Sequence, residues 1–352
     1  MAISSLALQR SRVGSGDQVQ VVGQSGQSAT VPGETRIIKL GEPLGGWPVY
    51  VKYASSEAVV DQRRGSLGVH TDQEWTQPIG SASGEDVLRD VVRVTSDSLG
   101  ERLIAAYALG SLAQGGFSPL VSDVDVGLIL TDPIQESDAD SLVGVAENVR
   151  SIGSPLQGRV SVFWGTAESF AGRATGGRFP PLDRLCLHEH GRLLRGNDVR
   201  SGLTPPNQTE LLIAGARFAL EALADDVVAC ARQPDRLVEG GMRWTTKIAL
   251  FPVRFLFAAE TAREGTNEAA VQQYSGLSGA PGTALVCAAF DWRRNPPSAE
   301  LAMLTADFVP LYVYYLTDHI RRLESIGESE LAGAFSDWRS RLLAGKSDAP
   351  TK

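Results

Sequence analysis

Two aspartates, Asp123 and Asp125, stand two positions apart in the segment Ser122-Asp123-Val124-Asp125-Val126-Gly127-Leu128-Ile129-Leu130. Read as a strand, this segment turns both carboxylates to one side and Val124, Val126 and Leu128 toward a core. Carboxylates held side by side repel each other unless a cation neutralises them, and hard oxygen ligands near phosphate are the usual setting for magnesium. Upstream lies Gly110-Ser111. Gly110 lets the chain turn sharply out of a strand, and Ser111 opens a short helix whose free N–H groups can take phosphate oxygens. Ser122, directly before the first aspartate, is placed to contact the same phosphates. An isolated Asp-x-Asp is common at a loop or a solvated strand end; the combination with Gly-Ser and the following apolar strand carries the inference.

These residues need a small sheet to hold them. The pattern Val87, Val91, Val92, Val94 opens an amphipathic helix after Gly84 that runs to about Leu103. Strands follow at Ile104 to Leu109, Asp123 to Leu130 and Arg159 to Trp164, with a helix over Ser137 to Ser151. Leu185 to His188 and Arg192 to Leu194, flanking His190-Gly191, suggest a closing hairpin before the break at Pro205-Pro206. Beyond it the periodicity is helical near Glu210 to Arg232, Met242 to Arg263, Ala284 to Phe290, Ala299 to Glu324 and Glu328 to Leu343. The expected fold class is therefore α/β (α+β): a mixed-sheet domain over residues 85–207, an all-helical bundle over 208–345 and a tail over 346–352. The first 84 residues, rich in Gly, Ser, Gln and Val, read as a poorly ordered leader. A small β element around Trp47 to Tyr53, with Val49 to Tyr53 as its strand, or a start codon assigned too far upstream, are the alternatives.

The arrangement Gly110-Ser111, a linker, then Asp123-Val124-Asp125 on a strand resembles the DNA polymerase beta-like nucleotidyltransferase superfamily. Within it, the wording of Leu109 to Leu130 is most similar to that of bacterial aminoglycoside adenylyltransferases, which also carry a helical domain after the catalytic one. The resemblance covers roughly Asp86 to Leu343. It implies transfer of a nucleoside monophosphate, AMP from Mg2+-ATP, onto a hydroxyl. Asp123 and Asp125 would be the catalytic pair and hold the metal, and Gly110 and Ser111 would grip the β and γ phosphates. The acceptor would be a small hydroxylated molecule such as an aminoglycoside. Adenylylation of a protein partner, or a catalytically weakened nucleotide sensor on the same fold, are the other readings.

Members of that superfamily add a third carboxylate on a neighbouring strand, where it completes the metal site or serves as base. Here that strand, Gly158-Arg159-Val160-Ser161-Val162-Phe163-Trp164, contains no acid, and Arg159 stands near the expected place. Glu168, Asp183 or Glu189 could substitute, the site could be weaker, or catalysis could be lost.

Further along, Arg243, Lys247, Phe251 and Arg254 recur at four, four and three residues and share one helical stripe. Lys247 and Arg254 could clamp a triphosphate, Lys247 being the better placed; a solvated, salt-bridged face has the same pattern. Cys186, His188 and His190 alternate and could present ligands to zinc, or be the polar face of a strand with Leu185 and Leu187 inside. Glu221, Asp225 and Asp226 could receive a cationic acceptor or form a solvated acidic face.

Composition narrows the classes. Against 33 basic residues stand 41 acidic ones, a formal charge of -8 in a chain of 352 residues. That balance disfavours a general nucleic-acid surface and tolerates a polycationic acceptor. Three scattered cysteines do not make a disulfide framework and fit a reducing compartment, so a cytoplasmic location is expected. The apolar stretch after Ile248 is interrupted by Pro252 and Arg254, and no membrane association is expected.

Overall fold

The computed structural model describes the backbone of Gln9–Arg12, Asp17–Val22 and Ser28–Val31, and then residues 83–295 and 301–347. The chain divides into two units, residues 1–67 and 68–352. In the first, β1 (Gln9–Arg12), β2 (Asp17–Val22) and β3 (Ser28–Val31) form an antiparallel meander within the stretch read as a leader. The strand-like piece Val49 to Tyr53 lies outside the described residues.

The second unit begins with α1 (Gly84–Leu99). Ser83 caps it: its hydroxyl accepts from Asp86 N at 3.2 Å and Asp86 Oδ2 accepts from Ser83 N at 3.0 Å, a reciprocal box that satisfies two end groups. Its buried stripe of Val87, Leu88 and Val91 packs on the sheet, each such side chain contributing roughly 1.5–3 kcal/mol by leaving water.

The sheet is built from β4 (Leu103–Ala108), β5 (Val124–Leu130), β6 (Val160–Thr166) and β7 (Arg192–Gly196) in the order β6-β5-β4-β7. β4 pairs antiparallel with β5 and β7. β5 and β6 are parallel, joined by α3 (Glu136–Ser151), because parallel neighbours need a crossover. β4, β5 and β6 are buried on both faces, while the edge strand β7 is largely exposed. Val124, Val126 and Leu128 join α1 and α3 in one core, while Tyr107, Ile129 and Phe163 join Leu187 in another. α2 (Gly110–Ala113) follows β4 as a single turn, and α4 (Ala167–Phe170) follows β6.

One expectation fails here. Leu185 to His188 is not a strand of a closing hairpin but part of α5 (Pro181–His190), which covers the second face of the sheet. Pro181 at the first helical position and Asp183 in the first turn are helix-start signals. They outweigh an alternation only a few residues long, which a helix accommodates as easily as a strand.

After the sheet come α6 (Gln208–Ala222), α7 (Ala224–Arg232), α8 (Asp235–Glu239), α9 (Gly241–Thr261), α10 (Asn267–Ser275), α11 (Thr283–Trp292), α12 (Leu301–Ser325) and α13 (Ser329–Ser347). Their shared core centres on α9 and α12, where the Tyr312 hydroxyl donates to Ile248 O at 2.7 Å beside Trp338. The architecture is thus the expected one, a mixed α/β sheet followed by helices. Among the helices after the sheet, two were not anticipated: α8, and α10, which starts where the Thr266 side chain accepts from Ala269 N at 3.0 Å. Among the described residues no helix is long and apolar enough to cross a membrane.

Candidate active site

The turn out of β4 brings the motif together. Leu109 N donates to Asp125 O at 2.9 Å, so the Gly110-Ser111 turn is tied to the strand bearing the aspartates. Gly110 has φ +54, and a Cβ built on it would collide with Asp125 Oδ2. Only glycine satisfies both conditions, since a side chain is disfavoured at that φ and has no room. Gly110 N in turn donates to the buried Cys186 thiol of α5 at 3.2 Å. The Gly-Ser turn and the second aspartate therefore touch, as the spacing required.

Asp123 and Asp125 differ in their surroundings. Two cations from the stripe of α9 reach Asp123: Arg243 Nε donates to Oδ1 at 3.0 Å, and Lys247 Nζ pairs with Oδ2. Burial works to raise the Asp123 carboxyl, but Lys247 and Arg243 outweigh it and hold it below its ordinary value. Asp125 has no such partner. Burial first, and then the charge of Asp123, raise it to about 6, while more distant Lys247 and Arg254 and a hydrogen bond from Ser161 oppose the rise.

The pair fits a hard divalent cation. Asp125 carries an incompletely compensated charge against the side-chain-free edge of Gly110, and carboxylate oxygen is the donor type magnesium prefers. Two carboxylates suffice when phosphate oxygens and water complete the shell.

The parallel register settles what stands opposite. Asp125 pairs with Ser161, so the neighbouring-strand position belongs to a hydroxyl and not to Arg159. Arg159 lies in the turn before β6, where its Nη1 donates to Pro119 O at 2.9 Å and Leu120 O at 3.0 Å. It supports the linker between the two halves of the motif.

Of the three acids considered as substitutes, Glu168 is exposed and paired with Arg173 at 2.7 Å. Glu189 Oε2 accepts from Glu264 N at 3.1 Å. Asp183, in the first turn of α5, feels the charge of the motif: burial, then Asp125 and Glu264, raise its carboxyl to about 8. Glu264, just after α9, was not foreseen. It is only 4% exposed, accepts from Gln114 of the motif segment and sits 3.4 Å from Arg254 Nη2. Burial above all, with Glu189 and Asp125 adding to it, raises it to about 7 despite Arg254. No local pattern marks such a residue, since its role comes from packing between segments far apart in sequence.

A pH dependence follows. Glu264 keeps its proton in the folded state to about pH 7 and in the unfolded chain only to its ordinary value near 4.5. Its contribution to stability is therefore undiminished below about pH 4.5 and falls as pH rises toward 7. Glu264→Gln is expected to gain on the order of 2 kcal/mol over the parent at pH 8 and nothing at pH 4, read by urea unfolding at both pH values. Equal differences at the two pH values would refute it.

The other candidates separate. Ser122 is buried, its Oγ accepting from Ser118 N at 2.9 Å and Arg293 Nη2 at 3.2 Å, so it braces the linker. Phe251 stacks on Phe255 with centroids 5.7 Å apart. Because Cys186, His188 and His190 lie on a helix, alternate positions no longer share a face. Among the described residues no group of three or more metal-ligating side chains is present, so the zinc reading is withdrawn. Asp225 pairs with Arg341 of α13 at 2.6 Å, and Asp225 and Asp226 open α7, where acids complement a helix start.

No family model and no curated protein matches the sequence. Among solved structures, the chain is similar to the crystal structure of spectinomycin adenyltransferase AAD(9) from Enterococcus faecialis, solved with ATP and spectinomycin. The identity is 11%, the match covers 74% of this chain and 99% of that chain, and the TM-score is 0.45. At that distance neither substrate nor activity transfers, and the chemistry rests on the side chains described above.

Proposed function

We propose that the chain is a nucleotidyltransferase that moves a nucleoside monophosphate, AMP from Mg2+-ATP, onto a hydroxyl of a small molecule such as an aminoglycoside. The observation that supports this reading is the contact between Gly110 and Asp125, which joins the phosphate-gripping turn to the carboxylate pair. Asp123 and Asp125 would hold magnesium, which when bound neutralises phosphate charge and polarises the phosphorus that is attacked. Ser111 and Lys247 would position the triphosphate, Lys247 exchanging its partner Asp123 for phosphate oxygen.

Asp183 is the acid we assign to the acceptor, since it is the one of the three candidates raised by Asp125. The acceptor oxygen forms a bond to the α-phosphorus while the bond from that phosphorus to the bridging oxygen breaks. The hydroxyl proton passes to Asp183 in its ionised form, which predominates only above about pH 8, and pyrophosphate departs.

A sensor without turnover is the second reading, favoured by the Arg243 and Lys247 ion pairs on Asp123 and by Ser161 in place of an acid. Adenylylation of a protein would be recognised by where the label lands. The test incubates the protein with magnesium, labelled ATP and an aminoglycoside panel. Drug-dependent pyrophosphate release is expected, and Asp183→Asn should lower kcat by roughly a hundred to ten thousand fold with ATP binding retained. ATP binding with no transfer to drug or protein would rule out the enzyme; an unimpaired Asp183→Asn would rule out the assigned base.

A further inference from the structure

Arg293, which caps the end of α11, takes no part in the chemistry set out above. It is only 9% exposed, and among the described residues no carboxylate pairs with its guanidinium. A buried charge without a counter-charge is costly, and arginine does not escape that cost by losing its proton. Burial, Arg254 and Arg294 pull Arg293 down to about 10, which leaves it charged at neutral pH. A pair of charge-assisted hydrogen bonds offsets part of the cost.

Both go to the linker between the two halves of the motif. Nη2 donates to Gly116 O at 3.0 Å and to Ser122 Oγ at 3.2 Å, and the Arg293 carbonyl accepts from the Ser118 hydroxyl. Gly116 lies at one end of the linker, where its N–H donates to Ser111 O at 2.9 Å. Ser122 lies at the other, immediately before Asp123. Between them, Ser122 Oγ accepts from Ser118 N and Ser122 N donates to Ser118 O, both at 2.9 Å. A single nitrogen atom thus bridges the Gly-Ser turn and the aspartate strand, reaching each through one intermediate residue. Arg159 holds Pro119 and Leu120 from the sheet, so the linker is fastened from both sides. Arg293 and Ser111 also line one pocket, which places this staple directly beside the turn.

We propose that Arg293 is a positioning residue for the motif: through Gly116 and Ser122 it fixes the linker, and with it the separation of the Gly110-Ser111 turn from Asp123. The assignment rests on the nucleotidyltransferase reading. A metal on the aspartates and a triphosphate on the turn reinforce each other only when the two halves stand at the right separation, so Arg293 sets the coupling between the two ligands.

The test is calorimetric titration of the α,β-methylene analogue of ATP, which is not cleaved at the α-phosphorus, into the full chain with and without magnesium. The ratio of the two affinities measures the coupling. Arg293→Met is expected to cut that ratio at least about tenfold with the metal-free affinity little changed, whereas a general loss of packing would weaken both affinities together. Ser122→Ala is expected to lose part of the ratio, and Arg293→Met should cost less in that background than in the parent, because both act on one linker. Ser122→Ala carries the test if Arg293→Met fails to fold. The proposal is overturned by a ratio unchanged in Ser122→Ala and in any folded Arg293→Met, by equal losses with and without magnesium, by additive losses in the double variant, or by a parent that gains nothing from magnesium. AMP transfer by the parent is measured separately. Transfer with a ratio indifferent to Arg293 removes the positioning role and leaves the enzyme; a ratio that depends on Arg293 without transfer keeps the role and removes the enzyme.

Discussion

Asp125→Asn is expected to reduce nucleotidyl transfer about a thousandfold or more while making the protein harder to unfold. The first effect follows from losing one of two carboxylates that would hold the metal, because positioned charge supplies most of the acceleration in phosphoryl-type transfer. The second follows from the state of that carboxyl, raised to about 6 by burial and Asp123. The folded chain holds its proton up to about pH 6 and the unfolded chain only to about 3.8. Stability is consequently lost as pH climbs between those values, and the penalty is complete above them. Asparagine carries no charge and still offers an acceptor to Ser161. The variant should therefore gain roughly 1–3 kcal/mol at pH 8 and nothing at pH 3.5, read by urea unfolding. Magnesium should stabilise the parent and leave the variant unmoved. A variant that transfers AMP normally would remove Asp125 from the chemistry, and one destabilised at pH 8 would contradict the account of its burial.

Gly110→Ala is expected to damage transfer as well and, in contrast, to be destabilising. A side chain at φ +54 costs roughly 1–2 kcal/mol, and the new methyl group would occupy the space of the Asp125 carboxylate. One of the two must move, so the variant should lose on the order of 2–4 kcal/mol in all and transfer at about one hundredth of the parent rate or below. Gly100→Ala separates the two causes. Gly100 has φ +52 with nothing within 4 Å of a built Cβ, so its variant should show the conformational cost alone and keep full activity. If the two variants lose equal stability and both transfer normally, the clash with Asp125 has no consequence.

Much of the sheet was legible because its signals are local. The strands around Tyr107, Asp125 and Val162 and the helices beginning at Gly84 and Glu136 follow from alternation, periodicity and caps that span a few neighbouring residues. α5 was misread because Leu185 to His190 satisfies the strand and helix periods equally over so short a stretch, and Pro181 and Asp183 decided for helix. The missing acid was sought near Arg159, two residues from the true register partner Ser161. Register in a parallel pair is set by how side chains such as Val124 and Val160 pack, which a single strand does not encode.

By itself the sequence determined the heart of the site: a glycine free to adopt a left-handed turn, a serine after it, and two aspartates made to share a face by the two-residue period of a strand. It determined as well the stripe of α9 from which Arg243 and Lys247 approach Asp123, since helical spacing is equally local. The tertiary structure alone decided that the charge of Asp125 reaches Asp183 and Glu264, that Ser161 and not Arg159 stands opposite it, and that Arg293 and Ser111 line one pocket. Those partners come from segments far apart in the chain. Their meeting depends on which buried faces pack together, and no short-range pattern records it.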